Sequence, residues 1–212
     1  MSAIYQLAID AIMNQDAPKA MEAIKKHLDD GKDPMDLMNN GFIIGITRAG
    51  DLFGSGKLFL PELMQSADIM LAASQELNKA MPEGQTTGYS HIHITAATVK
   101  GDIHDIGKGI GIALFRANGF VVHDLGRDVE VEAMINDAEK NGSSFIATSA
   151  LLTTTLSEQK LLEETLKKNG LKGRIKTMVA GAPVTPRWAS RIGADIYAVD
   201  ADAGVKGVIA AL

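Results

Sequence analysis

The sequence predicts an α/β protein in two parts, a small helical bundle followed by a doubly wound parallel sheet. Three observations carry this: helical periodicity alone in the first eighty residues, strand–helix alternation afterwards, and a polar stretch rich in glycine between them. In the first part, Ile4, Leu7, Ala8, Ala11 and Ile12 recur at helical spacing. Asp16 stands two residues before Pro18, and Asp33 directly precedes Pro34. Both are helix-start signals, because proline's missing N–H is not needed in a first turn. Gly31 closes the second helix, a third runs from about Pro34 to Phe53, and Pro61 opens a fourth. Short connections between four helices imply a bundle.

The stretch "MPEGQTTGYS" reads as a linker. The expected division is therefore a helical cap over 1–81, a linker over 82–90 and an α/β domain over 91–212. In the last, strand-like "HIHITAAT", "FVVHDLG", "SSFIATSALL", "RIKTMVAGA" and "ADIYAVD" alternate with helical segments, several ending at Gly119, Gly142, Gly170 and Gly193. Five alternations predict a flavodoxin-like, Rossmann-like sheet of five parallel strands. Such sheets bind ligands beyond the carboxyl ends of their strands, where "TVKGDIHDIGKGI" follows the first strand.

Composition narrows the function. Apolar residues are 46% and charged residues 22% of the 212, as in ordinary globular chains. The net charge of -5 argues against a nucleic-acid binder. Having no cysteine, the chain has no disulfide, iron–sulfur cluster, thiolate zinc site or cysteine nucleophile. No apolar run reaches the roughly 20 residues of a membrane span, and the N-terminus lacks a basic leader region. A cytoplasmic location, away from membranes, is the expectation.

The loop after the first strand admits several chemistries. Gly107, Gly109 and Gly111 give G-x-G-x-G where a dinucleotide fold needs G-x-G-x-x-G, and Lys108 is followed by Gly109 where a triphosphate loop needs Ser or Thr. A metal site from His91, His93, His104 and His123 lacks any compact ligand triplet, and an exposed strand face explains His91 and His93 as well. A third reading takes His104 alone as ligand to a metal that arrives inside a macrocycle. One imidazole nitrogen would bind while the other donates to a carboxylate such as Asp102. A helix cap formed by Asp102 or Asp105, with His104 a bystander, is the plainer alternative.

"GDIHDIG" resembles the D-x-H-x-x-G motif of base-off, histidine-on corrinoid-binding domains, with Asp102, His104 and Gly107 in register. "TSALLTTT" supplies that family's S-x-L as Ser149 and Leu151, "VAGAPVT" stands where it has Gly-Gly, and "DLFGSGKLFLPELM" is similar to its helical cap. The chain most resembles the free-standing corrinoid proteins of methylamine, betaine and methoxy methyltransferase systems, trimethylamine and quaternary-amine carriers above all. It also resembles the cobalamin module of methionine synthase. The resemblance implies that His104 is the lower axial ligand of cobalt and that Asp102 bonds its imidazole, with Thr155 continuing the relay. Asp105, Ile106, Gly107, Ser149, Leu151, Thr153, Ala180 and Gly181 would also line the cofactor, Ala180 replacing the family's first glycine. Phe53 and Leu60 would shield the corrin's upper face, with the linker as hinge.

The implied function is that of a methyl-carrying subunit without catalytic groups of its own. Cobalamin or a related corrinoid would cycle between cob(I)alamin and methylcobalamin, with proton uptake by the relay on histidine release. The methyl group would come from a methylated amine through a substrate-specific methyltransferase and leave to a thiol or tetrahydrofolate-type acceptor through a second one. A reductive activator is a further implied partner. Carriage of methyl groups from methanol or methoxy compounds, a cobalamin-dependent sensor or storage protein, and a mutase fragment are the alternatives.

Overall fold

The structure is a computed structural model and describes residues 2–81 and 89–212. The chain divides into two compact units, one of Met1–His91 with Ala113–Val121 and one of Ile92–Ile112 with Val122–Leu212. Most of the expected hinge, residues 82–88, lies outside the described residues.

The first unit is helical. Helices α1 (Ala3–Met13) and α2 (Ala17–Asp29) are joined by a tight turn. The Asp16 carboxylate caps α2 by accepting from Lys19 N–H, which satisfies a donor that the first turn leaves unpaired. Asp33 does the same for Met35 N–H at the start of α3 (Pro34–Leu37). The single third helix expected from the sequence is interrupted. A π turn (Met38–Phe42) separates α3 from α4 (Ile43–Gly54). The weak helix formers Asn39, Asn40 and Gly41 fall within it, and a side chain at Gly41 would come within 2.9 Å of Ala8 Cβ. Close approach to α1 therefore requires glycine there. In α5 (Leu60–Lys79) Glu62 accepts from Phe59 N–H at 2.8 Å. Ile12, Ile24, Leu37, Met38, Phe42, Leu63 and Leu77 form a fully buried core. Phe53 and Leu60 pack partly buried against it.

The second unit is built on strands β1 (His93–Thr98), β2 (Val121–Asp124), β3 (Phe145–Ser149), β4 (Lys176–Ala180) and β5 (Ile196–Ala198) in the order β2-β1-β3-β4-β5. β1 pairs β3, β3 pairs β4 and β4 pairs β5, all parallel. The intervening helices are α6 (Ile106–Ala117), α7 (Val131–Asn141), α8 (Leu156–Lys168), α9 (Pro186–Ile192) and α10 (Ala201–Ala210); α6 runs from the second unit into the first. Gly119, Gly142, Gly170 and Gly193 all have the positive φ expected of helix-terminating glycines.

Two readings of β1 change. The strand starts at His93 rather than His91, and five of its six residues are buried, because a central parallel strand is covered on both faces. His93 is half-buried, and its partner is His123, with Nδ1 and Nε2 3.0 Å apart. Strand pairing, not spacing along one strand, decides which imidazoles meet.

Candidate cofactor site at the carboxyl end of the sheet

β1 stops at Thr98 because the chain turns there. Gly101 has φ +76°, a region that favours glycine, and its N–H donates to Asp128 Oδ1 at 2.7 Å. Asp102 N–H donates to the Val99 carbonyl, Asp128 N–H to the Asp102 carbonyl, and Val129 N–H to the Thr98 carbonyl. The loop before α6 is thereby tied to the loop after β2.

Asp102 is completely buried and its carboxylate accepts from five groups. Oδ1 takes His104 N–H at 3.1 Å and His104 Nδ1–H at 2.7 Å. Oδ2 takes Leu151 N–H at 2.7 Å, Leu152 N–H at 3.1 Å and Thr155 Oγ1–H at 3.0 Å. Burial alone would raise the pKa of this carboxyl. The hydrogen bonds from the His104 ring and the Leu151, His104 and Leu152 amides outweigh that and hold it well below the usual carboxylate range. The Thr155 hydroxyl also lies 2.9 Å from the Leu152 carbonyl, so its one proton serves two acceptors.

A carboxylate only accepts, so Nδ1 of His104 must be the protonated nitrogen and Nε2 carries the lone pair of the neutral ring. The ring is about half exposed, at 48%. The apolar side chains of Ile103 and Ile106 are 67% and 77% exposed, and Leu151 and Leu152 also reach solvent. A Cβ built at Gly107, Gly109 or Gly111 meets nothing within 4 Å, so the first turns of α6 offer open backbone. Large apolar side chains in solvent around one oriented imidazole suit a flat, largely apolar ligand.

The other expected residues are placed as follows. Ser149 Oγ lies 3.0 Å from Thr98 Oγ1. The Ala180 carbonyl accepts from Ala150 N–H at 3.0 Å, and Gly181, at φ +130°, passes so close to β3 that a Cβ would sit 1.8 Å from the Ala150 oxygen. Asp105 pairs with Arg127 at 3.4 Å. Thr153 lines a cavity of about 390 Å³ with Lys160, Trp188 and Arg191. Phe53 and Leu60 belong to the first unit and are described with its core.

Sequence reasoning missed several contributors. Thr98 is buried and joins Ser149 to the His104 carbonyl. Gln159 is fully buried; its Oε1 accepts from Trp188 Nε1–H at 3.1 Å, and its amide reaches the Thr148 and Ala180 carbonyls. Nothing in spacing marks either. Ile103 and Leu152 lie within the quoted motifs, and being apolar in a loop is the one signal they give.

Among the described residues, no three His, Cys, Asp or Glu side chains converge to hold an ion. A metal engaged by His104 must therefore bring most of its ligand field with it, as one in a macrocycle does. The residues present fit that demand: one oriented nitrogen, a carboxylate behind it, and an apolar rim.

The comparisons with known proteins point the same way. Residues 92–206 match the family model described as B12 binding domain, and residues 5–78 match a second model of the same description. Trimethylamine corrinoid protein 2 of Methanosarcina acetivorans is 40% identical over 99% of this chain and 96% of its own. Dimethylamine corrinoid protein 2 of Methanosarcina mazei is 44% identical over 82% of this chain and 80% of its own. Among solved structures, the methanol:cobalamin methyltransferase complex of Methanosarcina barkeri matches with a TM-score of 0.79 and 32% identity, over 99% of this chain and 80% of that one. A cobalamin-binding protein of Desulfitobacterium hafniense matches with a TM-score of 0.70 and 30% identity, over 97% of both chains. With both halves matched and full-length relatives at this identity, the chain belongs to the B12-binding corrinoid proteins.

Proposed function

We propose that the chain is the methyl-carrying subunit of a methylamine methyltransferase system, with trimethylamine or a quaternary amine as the source of the methyl group. The observation that carries this reading is the His104–Asp102 pair. A buried carboxylate with five donors fixes the tautomer of a half-exposed ring, leaving the lone pair on its other nitrogen. When bound, the corrinoid supplies a cobalt centre able to accept and release a methyl group, while the protein supplies binding, orientation and electronics.

His104 Nε2 would be the lower ligand. Asp102 keeps Nδ1 protonated, and the bonds from His104 and from the Leu151 and Leu152 amides keep Asp102 anionic. A proton taken up when His104 is released would then reside on Nε2, with the imidazolium held by the Asp102 charge. Ile103, Ile106, Leu151 and Leu152 would cover the lower face of the ring system, and Ser149, Ala180 and Gly181 would border the slot for the nucleotide tail. Phe53 and Leu60 are assigned the shielding of the methyl-bearing face. The partners are a substrate-specific methyltransferase, an acceptor methyltransferase acting on a thiol or tetrahydrofolate-type compound, and a reductive activator. A cytoplasmic location follows from such partners, and no described helix is long and apolar enough to cross a membrane.

The experiment is to load the chain with cobalamin, reduce it, and offer methyltransferases specific for tri-, di- and monomethylamine, betaine and methanol. Demethylation of trimethylamine or betaine, dependent on this chain, is expected. The likeness to the methanol:cobalamin methyltransferase complex favours methanol as the second reading, and turnover with the methanol enzyme alone would replace the first.

A further inference from the structure

Thr98 closes β1, and its side chain is completely buried. It stands opposite Ser149 in the parallel pairing of β1 with β3. Its hydroxyl lies 3.1 Å from the His104 carbonyl oxygen and 3.0 Å from Ser149 Oγ. A threonine hydroxyl has one proton and two lone pairs. The carbonyl can only accept, so the Thr98 proton goes to His104 O, and Ser149 must supply the proton between the two hydroxyls. The result is a directed chain, Ser149 O–H to Thr98 O–H to the His104 carbonyl, running from β3 through β1 into the loop.

The strand end that carries this hydroxyl is itself tied by its backbone to the segment after β2. Thr98 N–H donates to the Gly126 carbonyl at 3.0 Å, and Val129 N–H donates to the Thr98 carbonyl at 3.1 Å. His104 is therefore fixed twice. Asp102 aims its ring, and Thr98 fixes the peptide that follows it, at an atom that Asp102 does not bond. With the ring half exposed, the bond to its backbone adds to what holds its orientation.

We propose that Thr98 is a positioning residue for His104, holding the ligand loop so that Nε2 presents its lone pair in one place. The proposal rests on the reading of His104 as the lower ligand, and its test separates the two. Ser149, committed as a donor to Thr98, turns only its lone pairs outward. It is then an acceptor for an N–H or O–H of whatever borders it.

The test is a double-mutant cycle on the full chain, with methylcobalamin affinity and absorption spectrum as readouts. Thr98→Val keeps the shape of the side chain and removes both bonds. It is expected to weaken methylcobalamin binding by roughly five- to tenfold, the scale of one net hydrogen bond, and to raise the base-off fraction at fixed pH. Thr98→Ser restores both. In a His104→Gly background the Thr98→Val loss should shrink to less than about twofold, since two residues acting through one contact are not additive. An equal loss in both backgrounds makes Thr98 merely structural and overturns the proposal, as does wild-type behaviour of Thr98→Val. If His104→Gly itself leaves affinity and spectrum unchanged, the ligand reading fails instead, and the positioning role falls with it. Should Thr98→Val not fold, Thr98→Cys, with its weaker donor, must show a smaller shift in the same direction.

Discussion

Replacing Asp102 by asparagine removes one charge and one acceptor while changing almost no volume. In either orientation of the amide, its N–H₂ group faces donors. Pointed toward β3, it meets Leu151 N–H, Leu152 N–H and Thr155 Oγ1; pointed toward the loop, it meets His104 N–H and leaves Nδ1 as acceptor. The first choice orphans two buried amides at about 1–3 kcal/mol each. The second orphans one amide and reverses the tautomer, placing the proton on Nε2 where the lone pair is needed. We therefore expect Asp102→Asn to lose about 2–6 kcal/mol, the sum of two such penalties. With a urea slope on the order of 2 kcal/mol/M, the midpoint falls by roughly 1–3 M. Trp188, the one tryptophan of the chain, lies in the α/β unit, so its fluorescence follows that unit separately from the helical one. Methylcobalamin bound by the variant should also lose its histidine-on spectrum. A midpoint within about 0.5 M of wild type, on the same slope, would refute the reasoning, for the five bonds would then be incidental to both folding and ligand geometry.

Two further outcomes follow from the same geometry. Gly181→Ala puts a Cβ 1.8 Å from the Ala150 oxygen at a φ of +130°; backbone strain and overpacking together cost about 3–5 kcal/mol, which the Trp188 urea midpoint will register. Burial, with the charge of His123 second, lowers the tendency of His93 to protonate below that of an unfolded histidine. A depressed folded value leaves stability whole above the ordinary value of 6.5 and removes it as pH falls below that, so urea midpoints should decline from pH 7.5 to 5.5, and less steeply in His123→Gln; identical slopes in the two proteins would exclude the pair as the cause.

Local signals were readable wherever one residue type carries the physics alone. Asp16 and Asp33 cap the helices whose prolines announced them, and the glycines after α6, α7, α8 and α9 adopt the positive φ their positions imply. The strand–helix alternation gave the sheet, and the G-D-I-H-D sequence drew attention to a pair whose ring and carboxylate lie 2.7 Å apart. What stayed hidden depends on distant partners. The Leu151 and Leu152 amides that hold Asp102 have no sequence signature, since nearly every residue can supply an N–H. Thr98 looks like any β-branched residue at a strand end until Ser149 is set beside it. Spacing along one strand groups His93 with His91, whereas the pairing of β1 with β2 that sets His93 against His123 leaves no mark in the sequence. The π turn at Met38–Phe42 carries Gly41 against Ala8 of α1, a tertiary contact that helical periodicity does not show.

The most direct test of the central claim, that His104 Nε2 is the lower ligand of a bound corrinoid, is the absorption spectrum after reconstitution with methylcobalamin, recorded for wild type and His104→Gly side by side. Corrinoid retained by both, with a histidine-on spectrum in wild type and a base-off spectrum in the variant, is the predicted result. Superimposable spectra would contradict it, whatever the affinity.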